Sequence, residues 1–313
     1  MSKQKQQDQS PTCTSHASST ESFQYGNHFE GLIQKLHSEG RYRVFADLQR
    51  EVGIFPRVHH QSQASEEAAP SREVTVWCSN DYLGMGHNRV VLQAMHDALD
   101  VYGAGSGGTR NISGNHVPIV RLERELASLY GMGAGLVCTS GYVANVTGLS
   151  TIARQLPGCI VFSDSENHAS MIQGIRGSKA KKFVFEHNDV DHLERLIRDV
   201  PAETPKLIAF ESVYSMSGDF GPIAEICEVA KRYNALTFLD ETHAVGLYGS
   251  NGAGLAQEQG LVDQIDIIQG SFGKGYGVVG GFLVGSSVLI DVIRSYGTGF
   301  IFTTSLPPTI AAG

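Results

Sequence analysis

From about residue 118 onward the sequence alternates strand-like apolar runs with helical patterns, and few architectures can absorb that alternation. The strand-like runs occupy residues 135–139, 159–163, 206–211, 235–240, 265–270 and 281–285. Helical spacing lies between several of them, at 190–199 and 222–233 for example. Pro118 opens a further helix with apolar Val120, Leu122, Leu126 and Leu129, and Gly131 closes it. Strands separated by helices do not pair as hairpins. They form a mostly parallel sheet covered by helices on both faces. Ligands of such sheets bind beyond the carboxyl ends of the strands, so the polar residues after each run are the ones that bear on function.

Upstream of that alternation the signals are weaker. Residues 1–27 are rich in Ser, Gln and Thr, which predicts a disordered leader. The leader has no Arg and carries Asp8 and Glu21, unlike the Arg-rich, acid-poor transit peptides. Helical spacing of Leu32, Leu36, Phe45 and Leu48 runs over residues 29–49, interrupted at Glu39 and Gly40. Residues 62–72 are polar, contain Pro70 and read as a connector. A short strand follows at 74–78, closed by Asn80 and Asp81. The expected division is therefore a leader at 1–27, an N-terminal segment at 28–75 and a large α/β domain at 76–313.

The formal net charge of −8 provides no global field for nucleic acid or an anionic membrane, and no apolar stretch reaches the length of a membrane span. Five cysteines are spread without a CxxC pair, which predicts reduced thiols and a cytoplasmic setting. Cys138 and Cys159 fall in strand-like runs and are expected to pack in the core.

The chemistry concentrates after two of the strands. Asp240 ends one apolar run, and a buried carboxylate there needs a cationic partner such as a protonated pyridine nitrogen. His243 follows and could hydrogen-bond a phenolic oxygen on the same ring. Lys274 sits in the glycine-rich loop Ser271-Phe272-Gly273-Lys274-Gly275 after another run, where an amine can condense with an aldehyde and later move protons. Singly, Asp240 would be read as a helix cap and Lys274 as a solvated lysine. Together they point to pyridoxal 5′-phosphate. The Ser140-Gly141-Tyr142 turn, which leads from a strand into Val143-Ala144-Asn145, has the form of a phosphate-binding helix N-terminus, and Ser271 adds a hydroxyl.

With those residues in view, the chain resembles the α-oxoamine synthases among the fold-type-I pyridoxal-phosphate transferases. The likeness rests on Gly40-Arg41-Tyr42-Arg43, on residues 77–85 (WCSNDYLGM), on 103–114 (GAGSGGTRNISG) and on 167–171 (NHASM). It extends to 211–216 (ESVYSM) and 300–308 (FIFTTSLPP). GRYR and TRNISG point to the aminolevulinate branch. The resemblance implies condensation of glycine with succinyl-CoA to give 5-aminolevulinate, CoA and carbon dioxide, a step of heme biosynthesis, by a homodimer with shared active sites. It implies neither a nucleic acid nor a membrane partner, and no metal. A eukaryotic relative of this kind would work in the mitochondrial matrix.

Roles follow by motif. The resemblance implies that Lys274 holds the cofactor and moves the glycine α-proton, that Asp240 keeps the ring nitrogen protonated and that His168 stacks on the ring. His243 and Ser215 belong near the ring hydroxyl. Thr303 and Thr304 belong at the phosphate of the neighbouring subunit. Arg43 and Thr109 match groups that hold the succinyl carboxylate, a task suited to the arginine fork. Asn111 lies in the same loop as Thr109, Ser163 and Lys182 match contacts to coenzyme A, and Asn80 matches a contact to the glycine carboxylate. Lys179 and Lys181 beside Lys182 read equally well as a solvated charge run.

The sequence departs from the pattern in places. It reads Met216-Ser217-Gly218-Asp219 where Met-Asp-Gly-Asp is usual, Thr242 where valine is usual, and Lys274-Gly275 where Lys-Ala is usual. It ends at Gly313 where family members continue, so the small C-terminal domain is expected to be missing and glycine binding to be poor. Two rival expectations stand beside the first: an α-oxoamine synthase using another acyl-CoA, and a non-catalytic homologue that binds a longer paralogue.

Overall fold

The computed structural model describes residues 22–61 and 71–313. Most of the expected leader, Cys13 and nearly all of the expected connector lie outside these residues.

The described chain forms two compact units. One takes in residues up to Gln49 together with His59–Arg72, and the other is Arg50–Val58 with Glu73–Gly313. The first unit holds helix α1 (Tyr25–Ser38) and strand β1 (Asp47–Arg50) except for its last residue, Arg50. Strands β2 (Arg57–Gln61) and β3 (Arg72–Thr75) each run across a boundary between the units. The helix expected over 29–49 is thus correct only as far as Ser38. Gly40 takes a left-handed φ of 65° just past the helix end, and Leu48 lies on a strand rather than a helix. The strand expected at 74–78 also ends early, at Thr75, and leaves Trp77 92% exposed.

The second unit carries the alternation. Helices α2 (Arg89–Tyr102) and α3 (Val117–Tyr130) lead into β4 (Ala134–Cys138), α4 (Gly141–Gln155), β5 (Ile160–Asp164), α5 (Ala169–Ser178) and β6 (Lys181–Phe185). Then come α6 (Val190–Ile197), β7 (Lys206–Glu211), α7 (Ile223–Arg232), β8 (Leu236–Asp240), α8 (Leu255–Glu258), β9 (Ile267–Ser271) and β10 (Gly281–Gly285). Helices α9 (Ser287–Tyr296), α10 (Thr298–Ile301) and α11 (Pro308–Ala312) follow. The expected strands at 206–211 and 281–285 are found at the same bounds, and the others shift by one or two residues. The edge strand β6 carries none of the expected runs, because Lys181 and Lys182 open it and only Phe185 is buried.

The seven strands pair in the order β4-β10-β9-β8-β7-β5-β6. All contacts are parallel except those of β10, which runs against both neighbours. Every residue of the central strand β7 is buried, as expected of a sheet covered on both faces. One face packs Val137, Phe210 and Leu239 against α3, α6 and α7. The other packs Leu136, Leu207 and Phe238 against α4, α5 and α9. Helix α4 lies so close to the sheet at Gly148 that a Cβ there would come 2.9 Å from the Phe238 ring. Cys138 and Cys159 are buried in the second layer as the sequence suggests, and burial pushes their thiols up to about 12 and about 11.

This topology fixes the site. Because β4, β5, β6, β7, β8 and β9 are parallel, the residues after Cys138, Asp164, Phe185, Glu211, Asp240 and Ser271 gather along one edge of the sheet.

Candidate active site

Asp240 is the buried last residue of β8. Its Oδ2 accepts a hydrogen bond from Asn145 Nδ2 at 2.7 Å, and its Oδ1 accepts the Thr242 N–H at 2.8 Å. The same Asn145 amide donates to Ser170 Oγ at 3.0 Å, and Ser170 Oγ lies 2.6 Å from His168 Nδ1. A continuous chain of hydrogen bonds therefore joins Asp240 to His168 through the N-terminal parts of α4 and α5. His168 caps α5, its Nδ1 accepting the Ser170 N–H at 3.2 Å, so the neutral ring carries its proton on Nε2. Its own N–H donates to Glu211 Oε1 at 2.5 Å.

Glu211 and Asp240 are partners in the β7–β8 register, so two carboxyl groups end adjacent buried strands. Burial first, and the Asp240 charge second, push Glu211 up to about 9 against the opposing His168 N–H.

Lys274 lies in the loop after β9, half-buried. Burial lowers its amine below the ordinary lysine value, and Asp240 pulls it part of the way back. His243 is held below its ordinary value by burial, by Lys274 and by His168, with Asp240 opposing. These mutual influences show that the four groups share one electrostatic environment. Tyr82 closes it on one side, its hydroxyl 2.7 Å from His243 Nδ1. The Lys274 loop is locked to the Asp81 turn: Asp81 accepts the N–H groups of Met85 and Gly86, and a Cβ on Gly277 would strike Gly86 N at 2.3 Å. A Cβ at Gly275 would come 2.4 Å from the Val245 carbonyl oxygen, so the usual alanine does not fit this loop. Thr242, also unusual, uses its hydroxyl to donate to Gln269 Oε1 at 3.1 Å.

The sequence-expected phosphate cradle assembles at the start of α4. Ser140 caps the helix, accepting the Val143 N–H at 3.1 Å, and a Cβ on Gly141 would fall 3.1 Å from Ser271 Oγ. Ser140, Gly141 and Ser271 thus meet at a helix N-terminus, where an anion is favoured. Tyr142 is half-exposed and stands edge-on to His168, centroids 6.4 Å apart. Ser215 is exposed in the turn after β7.

The remaining expected residues are less gathered. Thr109 forms an isolated antiparallel bridge with Thr304, so two loops of the resemblance meet within one chain. Arg110, between Thr109 and Asn111, forks onto Glu123 at 2.7 and 2.8 Å, donates to Asn115 at 2.9 Å and lies over the Phe300 ring. Asn111 is exposed, Thr303 is half-buried and Asn80 is exposed. Ser163 is buried and occupied, accepting from Asn167 Nδ2 at 2.9 Å. Lys182 is exposed on β6, and Lys179 takes a left-handed φ of 63° at the end of α5. Arg43 is exposed and belongs to the first unit. A cavity of about 750 Å³ opens between α2, α3 and α11, and none of the expected site residues lines it.

The sequence motifs contain Tyr82 and Asn145 but assign them no role, and they do not show Ser170 and Glu211 as partners of His168. Their signal is positional: each lies within a few residues of one already singled out, Tyr82 by Asn80, Asn145 by Tyr142, Ser170 by His168 and Glu211 by Ser215.

A parallel α/β sheet with an acid, two histidines and a lysine of lowered basicity at its strand ends, beside an anion-binding helix start, defines a fold-type-I pyridoxal-phosphate transferase. The comparisons agree. The family model for class I and II aminotransferases matches residues 72–313. The 5-aminolevulinate synthase of Rhodobacter capsulatus is 55% identical over 289 residues, covering 92% of this chain and 70% of that protein. The mitochondrial 5-aminolevulinate synthase of Agaricus bisporus is 50% identical over 322 residues, covering 95% of this chain and 51% of that protein. A high-resolution structure of SPT with PLP matches with a TM-score of 0.82 at 33% identity, over 93% of this chain and 71% of that one. The chain belongs to the class I and II aminotransferase family, on its 5-aminolevulinate synthase branch.

Proposed function

We propose that this chain takes part in the pyridoxal-phosphate-dependent condensation of glycine with succinyl-CoA to 5-aminolevulinate, CoA and carbon dioxide. The observation that carries the reading is the hydrogen-bonded chain Asp240–Asn145–Ser170–His168 within the electrostatic reach of Lys274 and His243.

The residues fit the cofactor. Asp240 is a buried carboxylate whose two direct donors are the neutral Asn145 side chain and the Thr242 N–H. It would hold a protonated ring nitrogen. Ser140, Gly141 and Ser271 would take the phosphate, His168 a ring face, and His243 with Ser215 the ring hydroxyl. When bound, the cofactor supplies an electron-withdrawing ring that stabilises negative charge at the glycine α-carbon.

The rest is the work of the side chains. Lys274, its basicity lowered by burial, is poised to take the glycine α-proton at Nζ and to return a proton later. Asn145 and Thr242 orient Asp240, and Tyr82 orients His243 through Nδ1. Asn80 would contact the glycine carboxylate, and Arg43 with Thr109 the succinyl carboxylate. Asn111, Ser163 and Lys182 would lie along coenzyme A. Thr303 and Thr304 would serve the phosphate of a second copy in a homodimer. The setting that fits is cytoplasmic, with the mitochondrial matrix as the eukaryotic counterpart; no helix of the described residues is long and apolar enough to cross a membrane.

The test is glycine-dependent release of CoA from succinyl-CoA, with acetyl-CoA and pimeloyl-CoA as competitors. Release confined to succinyl-CoA supports the reading. Preference for another donor would place the chain with a different α-oxoamine synthase.

A further inference from the structure

Strand β6 ends at Phe185 on the same sheet edge as the cofactor residues, and His187 follows it. Its ring reaches two carboxylates at once: Nδ1 lies 3.0 Å from Asp164 Oδ1, and Nε2 lies 2.9 Å from Asp219 Oδ2. Each ring nitrogen faces a carboxylate, so only the doubly protonated imidazolium donates to both, although Nε2 also lies 3.2 Å from the Asn188 side-chain amide. Asp164 is the buried end of β5 and is fixed further by the N–H groups of Glu166 at 2.8 Å and Asn188 at 2.9 Å. Asp219 is exposed and belongs to a turn closed by the Val213–Phe220 bridge and by Tyr214 N–H to the Asp219 carbonyl at 3.1 Å. Asn188 reaches the same turn, donating to the Phe220 carbonyl at 3.2 Å. That turn carries Ser215.

We propose that His187 is a positioning residue for the cofactor site: its ring ties Asp219 to the fixed Asp164 and so holds the turn that presents Ser215. The proposal rests on the reading of Ser215 as facing the cofactor. The core anchors the turn at Tyr214 and touches it through the Phe220 ring against Tyr248, but residues 215–220 are exposed, and this is the stretch the tie restrains.

The titratable groups facing the ring are Asp164, Asp219, Glu166 at 3.9 Å from Nε2, and Tyr214, whose ring stands edge-on with centroids 4.4 Å apart. Burial lowers the basicity of His187, but the hydrogen bonds to Asp164 and Asp219 outweigh it and raise the ring above its ordinary value. A raised folded value means that the tie is fully present below the unfolded value. It is lost as pH rises through the folded one, so the turn loosens on the alkaline side.

Amide exchange of the turn in the cofactor-free protein and PLP affinity by absorbance test this, each at about pH 6 and about pH 9. Wild type is compared with His187→Ala and Asp219→Asn. The asparagine amide can donate to a neutral ring nitrogen, so that variant keeps the contact without needing the charge. His187→Ala should speed exchange at Tyr214 and Gly218 and weaken PLP binding, each about tenfold at the lower pH. Wild type should drift toward that behaviour at the higher pH, and Asp219→Asn should not. Wild-type exchange in folded His187→Ala would overturn the proposal. So would a loosened turn with unchanged PLP affinity, or equal pH dependence in wild type and Asp219→Asn. If wild type binds no PLP, the functional reading fails by itself, and the exchange measurements alone decide whether the tie exists.

Discussion

Asp240, Glu211 and Ser271 end neighbouring strands and are buried, whereas Thr109, Asn111 and Thr304 sit in loops joined by the Thr109–Thr304 bridge and by the Ser305 N–H donating to the Gly108 carbonyl at 2.9 Å. The first group is positioned by the sheet: register alone sets Glu211 beside Asp240, and the starts of α4 and α5 connect Asp240 to His168. The second group is positioned by polar ties between loops. Arg110 anchors its loop on Glu123, which also accepts the Val137 N–H at 2.9 Å and so ties the loop to β4. A parallel sheet is thus the base that carries the residues proposed for the cofactor, while Thr109 and Asn111, proposed for the acyl donor, depend on polar ties between loops. Such a division would let donor preference change without disturbing the base.

The comparison can be broken most severely at Lys274. Lys274→Ala should lower turnover by on the order of 10⁴-fold and abolish covalent retention of the cofactor, read by steady-state kinetics and by absorbance after gel filtration. Asp240→Asn should cost roughly 10²-fold or more in turnover. It should also let Glu211 fall from about 9 toward its ordinary value, because the Asp240 charge is one of the influences holding it up. Carboxyl infrared bands followed against pH would show that change.

Arg110→Ala should separate the two regions. Leaving Glu123 half-paired should destabilise the fold by about 3 kcal/mol in urea titration. The KM for the acyl-CoA should rise while PLP affinity holds. If PLP affinity fell equally, the two regions would not be independently supported. A smaller effect is expected at Arg43, where Arg43→Ala should raise the KM for succinyl-CoA about tenfold and blunt selectivity over donors lacking the carboxylate.

Glu211→Gln sharpens the comparison through stability alone. The folded value of Glu211 lies above its unfolded value, so the native state binds the extra proton between about 4.5 and about 9, and stability falls as pH rises across that window. Glutamine keeps an acceptor for the His168 N–H and carries no charge, so the variant should lose that slope in melting temperature.

The base was legible in the sequence for a physical reason. Strands buried on both faces are continuous apolar runs, and a charged or hydroxyl residue at the end of such a run stands out. Asp240, Lys274 and Ser140 stand out that way, whereas His168 enters through the NHASM motif of the resemblance. The edge strand Lys181–Phe185 was missed because only Phe185 of its five residues is buried, which leaves no run to see. Phe45 and Leu48 looked helical by spacing, but Gly40 had already ended the helix, and four exposed strand residues carry no alternation that could have corrected the reading. Partnerships across the chain were also invisible. Nothing local to Asn145 announces Asp240, because that pairing follows from strand order, and nothing local to Arg110 announces Glu123, because that pairing follows from how the loop folds back onto α3.

Whether the strand ends hold PLP on Lys274 is decided by reduction. Purified protein reconstituted with PLP should show a near-visible band that glycine perturbs, and borohydride should fix the cofactor to the peptide containing Lys274. A folded sample that takes up no PLP, or that is labelled at another lysine, would contradict the account.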